Sequence, residues 1–207
     1  MFIEQPPLLY RIFFPEAIWR IKRKKQRTVY LTFDDGPIPE VTPWVLDILD
    51  KYNVKATFFM VGDNVRRHPW LFDEIKRRGH SYGNHTMHHL RAMKTSTHEY
   101  IHDIDEANEY IDTSLFRPPH GLMRRSQAKA VKERYNIVMY DIVTRDYSRK
   151  QNGYDVLANV KNFTRNGSII VFHDSLRAEY NLKFALPLAI EWLKSEGYEI
   201  LPIPMLQ

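Results

Sequence analysis

The sequence predicts an α/β fold in which about seven parallel strands alternate with helices. Three observations predict it. Short apolar runs rich in β-branched and aromatic residues recur along the chain, each bounded by turn formers. The stretches between them carry apolar residues at i, i+3, i+4 spacing, the stripe of an amphipathic helix. The strand-like runs are apolar at consecutive positions, as strands covered on both faces must be. Such alternation implies parallel strands joined by right-handed crossovers. An open doubly wound sheet and a closed barrel both satisfy it.

Residues 28–33 form the first apolar run, which ends at Asp34-Asp35-Gly36-Pro37. Val41, Trp44, Val45, Ile48, Leu49 and Tyr52 follow at helical spacing. Residues 55–61 read as a second strand, 70–78 as a helix stopped by Gly79, and 80–84 as a third strand. Ser96 and Glu99 make a capping box, and Ile101, Ile104, Ala107 and Ile111 give the next helix its inner stripe. A short strand at 115–117 stops at Pro118-Pro119. A helix at 126–135, a strand at 137–142, a helix at 156–163 and a strand at 168–172 come next. A helix at 182–195 and a strand at 198–202 complete the pattern, with Pro187 predicting a late start for that last helix.

The 207 residues suffice for one compact domain with a full core. The absence of cysteine excludes a disulfide framework and a thiolate metal site, so any metal must be held by His, Asp or Glu. The net charge of +5 suits an anionic surface, but a solvated, mildly basic exterior is the simpler account. No nucleic-acid partner is expected, and the oligomeric state is left open.

Two segments are expected. Residues 28–207 form the folded domain. Residues 1–27 carry Leu8, Leu9, Ile12, Phe13, Phe14, Ile18 and Trp19, followed by the basic run 20–27. The apolar part precedes the charges, the reverse of an export signal, and it is too short to span a membrane. The primary expectation is that this segment packs its aromatics on the domain. The alternative is peripheral contact of residues 8–27 with an anionic membrane surface.

Function is concentrated at the strand ends. The first strand ends in Asp34-Asp35, the third runs into His85-Thr86-Met87-His88-His89, and the fourth ends in Arg117-Pro118-Pro119-His120-Gly121. Asp141 and then Asp146-Tyr147 follow the fifth, and His173-Asp174 ends the sixth. In a barrel these groups would converge on one mouth. His85 and His89 are four apart, so one helical turn would bring their rings together; His88, three from His85, is a rival on spacing alone. Two histidines and a carboxylate leave coordination positions open, the pattern of a catalytic divalent-ion site such as zinc.

Thr32-Phe33-Asp34-Asp35-Gly36-Pro37, His85-Thr86-x-x-His89, Arg117-Pro118-Pro119-x-Gly121, Asp146-Tyr147 and Val171-Phe172-His173-Asp174 resemble the ordered motifs of the polysaccharide deacetylases. This is the NodB homology domain, carbohydrate esterase family 4. The resemblance implies a distorted (β/α) barrel and metal-dependent removal of N- or O-acetyl groups from carbohydrates. By resemblance, Asp34 is the general base, and Asp35, His85 and His89 bind one divalent ion, with Zn favoured and Co, Ni or Mn as alternatives. Arg117 orients Asp34, His173 is the general acid, Asp146 tunes its charge, and the His120 backbone N–H serves the oxyanion hole. Tyr147, His120 and Val171 stand where the family usually carries Trp, Tyr and Leu, which bears on the pocket wall and substrate choice.

The chemistry agrees with that assignment. Amide hydrolysis needs an activated water, a base for its proton and an acid for the leaving amine. The expected substrate is an acetylated glycan in the cytoplasm or at the inner membrane face. The alternatives are a non-catalytic carbohydrate-binding protein and an amidohydrolase of a small non-sugar amide.

Overall fold

The structure, a computed structural model, describes residues 4–23 and 26–205. Its strands are β1 (Thr28–Asp34), β2 (Thr57–Met60), β3 (Ser81–Asn84), β4 (Leu115–Phe116), β5 (Asn136–Ile137), β6 (Ile142–Val143), β7 (Ile169–His173) and β8 (Glu199–Ile200). They pair in parallel in the order β5-β4-β3-β2-β1-β7-β6, and β8 joins the start of β1. The sheet curls into a half-barrel, the distorted barrel expected, with helices around it.

β1 is buried at every position because its alternate side chains serve two cores. Val29, Leu31 and Phe33 face outward with Phe58, Met60, Ile170 and Phe172 against the surrounding helices. Tyr30 faces the barrel interior with Phe59, Leu115, Val138, Ile169 and Ile203. Thr32 and Asp34 continue that inward row toward the mouth, in register with Val171 and His173 on β7. The inward face therefore changes from apolar to ionisable as the strand reaches its C-terminal end.

The helices are α1 (Leu8–Phe13), α2 (Thr42–Lys51), α3 (Gly62–Arg67), α4 (Pro69–Arg77), α5 (Thr97–Ile111), α6 (Arg125–Val131), α7 (Gly153–Phe163) and α8 (Glu179–Ser195). The expected Ser96–Glu99 capping box opens α5. The elements differ from expectation at several points. The stretch 137–142 is two short strands, because residues 138–141 leave β5 and cross to β6. α8 begins at Glu179 rather than late, with Pro187 in its interior. Burial of Leu182, Ala185, Leu186, Ala189, Ile190 and Leu193 outweighs the lost N–H bond. α3 was not expected; with six residues it shows no periodic stripe.

Part of the segment 4–22 packs on the domain. Phe14 and Ala17 are buried, and Tyr10 and Trp19 join the same core beside Met123, Tyr135 and Met139. Ile18 pairs with Val138 and Arg20 with Ser168, tying the β5 end of the sheet to the approach to β7. Arg11 pairs with the buried Asp141 at 2.7 Å. Leu8, Leu9, Ile12 and Phe13 nevertheless stay 61–75 % exposed. Lys24 and Lys25 of the basic run lie outside the described residues. No helix among the described residues is long and apolar enough to cross a membrane.

Candidate active site

The mouth at the C-terminal ends of the strands gathers Asp34, Asp35, His85, His89, Arg117, His120, Asp146, Tyr147 and His173. Asp141 is the exception. It lies at the opposite end, held by Arg11, Arg165 and Ser168, because the strand expected to carry it to the mouth breaks before it.

Adjacent carboxylates part company at the end of β1. Asp34 still belongs to the strand and points inward. Asp35 takes a left-handed backbone (φ 80°), and the Gly36–Pro37 peptide is cis. A Cβ on Gly36 would lie 2.0 Å from Asp174 Oδ2, so only glycine fits there. Asp174 accepts hydrogen bonds from the Gly36 N–H (3.1 Å) and the Thr42 hydroxyl (2.6 Å), locking the turn. Burial, reinforced by the Asp35 charge, pushes the Asp174 carboxyl up to about 8. It appeared in the sequence only as a motif position; its role depends on Gly36 and Thr42 meeting it in space.

Asp34 is set by a buried arginine. Arg117 Nη1 donates to Asp34 Oδ1 at 2.6 Å and to Thr32 Oγ1 at 2.7 Å. Its Nε and Nη2 donate to the carbonyls of Val138 and Met139, and its guanidinium lies 4.0 Å from the Phe59 ring centroid. Arg117 is 1 % exposed, so this is a desolvated pair with fixed geometry rather than a surface ion pair. The Asp34 Oδ2 has no hydrogen-bond partner among the described residues.

Asp35, His85 and His89 offer ligand atoms within 4.8 Å of one another. His89 Nε2 lies 3.2 Å and His85 Nε2 3.8 Å from Asp35 Oδ1. His85 Nδ1 is 2.8 Å from the Arg117 carbonyl, which can only accept, so the proton sits on Nδ1 and Nε2 is left free. Burial lowers the His85 ring to about 4, keeping it neutral near pH 7. Burial would raise Asp35, but the His89 hydrogen bond and nearby imidazole charge outweigh it and hold the carboxyl well below its usual range. A neutral imidazole with a free Nε2 beside an ionised carboxylate is the donor set a divalent ion needs, so these residues fit a metal.

The rings meet through an irregular loop, not the helical turn inferred from their spacing. Thr86 (φ 67°) and His89 (φ 53°) adopt left-handed backbone. His88, the rival ligand, turns away and pairs with Asp103.

His173 ends β7 beside Asp34, its register partner on β1. Its Nδ1 lies 2.7 Å from Asp146 Oδ1, and its N–H donates to Asp146 Oδ2, also at 2.7 Å. Burial alone would lower its pKa. The charge and hydrogen bond of Asp146, helped by Asp35 and Asp34, instead raise it to about 9. The ring is therefore an imidazolium at neutral pH with Nε2–H free to donate. Tyr147 packs edge-on against it at 4.8 Å, and Asn181 anchors Asp146 through its carbonyl. His120 sits in a tight turn (φ 61°), its ring 4.8 Å from His89, and its N–H has no protein acceptor among the described residues. Val171 is buried below His173 on the same inward row of β7.

The polysaccharide deacetylase family model matches residues 21–137. A peptidoglycan-N-acetylglucosamine deacetylase of Bacillus cereus is 33 % identical over 193 residues, covering 89 % of this chain and 90 % of that protein. The peptidoglycan-N-acetylglucosamine deacetylase PgdA of Listeria monocytogenes is also 33 % identical, over 88 % of this chain; the chain spans only 39 % of its length. Among solved structures, the Bc1960 peptidoglycan N-acetylglucosamine deacetylase superposes with a TM-score of 0.87 at 30 % identity, covering 98 % of this chain and 97 % of that one. BA3943 of Bacillus anthracis, described as a pseudoenzyme of carbohydrate esterase family 4, gives 0.80 at 26 % identity, over 90 % of this chain and 67 % of that one.

Proposed function

Because the chain belongs to the polysaccharide deacetylase family, we propose that it is a metal-dependent hydrolase of the N-acetyl group on an amino sugar, with N-acetylglucosamine of a peptidoglycan-type glycan as the leading substrate. The single observation that carries this reading is that the Arg117-fixed Asp34 and the Asp146-bound His173, paired on adjacent strands, converge with the Asp35–His85–His89 group at one end of the sheet.

Asp35, His85 and His89 would hold the cation. When bound, a divalent ion supplies Lewis-acid polarisation of the acetyl carbonyl and activation of the attacking water. Asp34 Oδ2 takes the proton of that water as its oxygen bonds to the carbonyl carbon. Arg117 holds the other carboxylate oxygen, so Asp34 keeps its aim through the transfer. The His120 N–H is available to the oxyanion as the carbon becomes tetrahedral. His173 Nε2–H then protonates the sugar nitrogen as the carbon–nitrogen bond breaks, giving acetate and the free amine. Asp146 stabilises the imidazolium before the transfer and fixes the ring orientation. Tyr147 and Val171 line the pocket side nearest His173.

Acetate release from N-acetylglucosamine oligomers and from peptidoglycan tests the reading. The expected result is turnover that a chelator abolishes and one equivalent of Zn restores. Metal-replete protein inert on every acetylated glycan would favour a binding role, and turnover of small cyclic amides alone would favour an amidohydrolase. The exposed apolar residues of α1 support a second proposal, on location: residues 8–27 dock on an anionic membrane surface, and the enzyme works on a glycan at the inner membrane face. Flotation with anionic vesicles that survives charge substitution of Leu8, Leu9, Ile12 and Phe13 would count against it.

A further inference from the structure

Outside the mouth, His88, Asp103 and Glu106 form a second group of metal-ligand type. Asp103 is nevertheless occupied. Its Oδ2 accepts the N–H of Met87 (2.9 Å) and of His88 (3.1 Å), and its Oδ1 takes His88 Nδ1 at 2.6 Å. A cation there would have to displace bonds that a buried carboxylate already makes. We propose instead that Asp103 is a positioning residue: it clamps the loop that carries His85 and His89 into the shape in which their rings face Asp35. The proposal rests on reading that loop as metal-binding.

The loop needs an external hold. Thr86 and His89 adopt left-handed backbone, which is unfavourable for an ordinary L-residue. The bonds that maintain it come from three directions. The N–H groups of Gly62 and Asp63, at the start of α3, donate to the carbonyls of Thr86 (2.9 Å) and Met87 (3.1 Å). Asn84 Oδ1 accepts the Thr86 N–H at 2.8 Å, and Thr86 Oγ1 accepts the Leu90 N–H at 3.2 Å. Asp103 closes the remaining side, and among the described residues its carboxylate is the acceptor for the His88 N–H. It reaches the loop from the second turn of the capped helix α5, a stiff support.

Charge and shape both favour an aspartate here. An ionised carboxylate accepts from three donors at once, whereas Asn has one acceptor oxygen and lacks the charge that strengthens these bonds. The His88 imidazole is 53 % exposed, and among the described residues its ring hydrogen-bonds Asp103. Its removal should leave both backbone bonds in place.

Asp103→Asn and His88→Ala would be compared with the parent protein by Zn titration against a chromogenic chelator and by amide hydrogen exchange at Met87 and His88. In Asp103→Asn, Zn affinity should fall about 10-fold or more, in the range typical of outer-shell partners, and the His88 amide should exchange faster; the Met87 amide, which also bonds the Asp103 carbonyl at 3.0 Å, should change less. His88→Ala should keep Zn affinity within about two-fold. Asp103→Glu, with the charge retained and the reach altered, should fall between them and serves if Asp103→Asn fails to fold. Equal Zn affinity in folded Asp103→Asn and the parent would overturn the proposal, as would an equal loss in His88→Ala. A parent protein that binds no Zn would instead overturn the metal reading; unchanged exchange at the two amides would then refute the clamp on its own.

Discussion

The molecule contains the same side-chain pair twice. His173–Asp146 and His88–Asp103 each join Nδ1 to Oδ1, at 2.7 and 2.6 Å, and in each the aspartate also accepts the histidine's own N–H. Both histidines are raised in pKa by their partners. They differ in setting. The His173 side chain is 12 % exposed and feels the charges of Asp34 and Asp35 at the mouth, while His88 is 53 % exposed. In the proposed mechanism the aspartate of the buried pair serves the histidine, by keeping a proton where the reaction would consume it. In the exposed pair the useful partner is the aspartate, whose second oxygen shapes a loop. Identical local chemistry acquires its role from what lies on its other side.

Substitutions should separate the two. The largest effect is expected from His173→Ala, which should lower kcat by about 10²–10⁴-fold with Zn stoichiometry unchanged, since it removes the proton donor alone. His88→Ala, assayed by the same acetate release, should leave kcat within about two-fold; a comparable loss in both would break the distinction.

Next in size is the pH profile. The proposed mechanism requires protonated His173, so turnover should fall as pH rises toward about 9, and a bound cation nearby would move that limb lower. Asp146→Asn should shift the basic limb down further, whereas Asp103→Asn should lower metal affinity and leave the limb in place.

Stability follows the same sign. The folded pKa of His173 lies above the unfolded value of about 6.5, so its pairing stabilises fully below pH 6.5 and is lost as pH rises through about 9. The melting-temperature gap between the parent and Asp146→Asn should accordingly narrow over that window. The smallest effect is the exposed pair's own ionic contribution, at most about 1 kcal/mol, so His88→Ala should barely move the melting temperature.

Much of this was legible in the chain because the barrel writes its site at the ends of apolar runs. β1 announces Asp34 and Asp35 by where its run stops, and β7 announces His173 in the same way. Legibility failed where tertiary contact decides. Asp141 sits four residues beyond the early end of β5, just before β6, and its partners Arg11 and Arg165 reveal that it belongs to the far end. The spacing of His85 and His89 suggested a helix, but the loop reaches the same convergence through left-handed residues held by Asn84 and Asp103. Nothing local marks Asp103 within a polar, helical stretch; its function exists only once α5 meets the loop.

The division of labour between Asp34 and Asp35 is the centre of the account. Its most direct test is to measure Zn stoichiometry and acetate release on the same preparations of Asp34→Asn and Asp35→Asn. Asp34→Asn is expected to bind one Zn with parental affinity and to release no acetate above background, and Asp35→Asn to lose Zn affinity. Unchanged turnover in Asp34→Asn, or equal Zn loss in both variants, would contradict it.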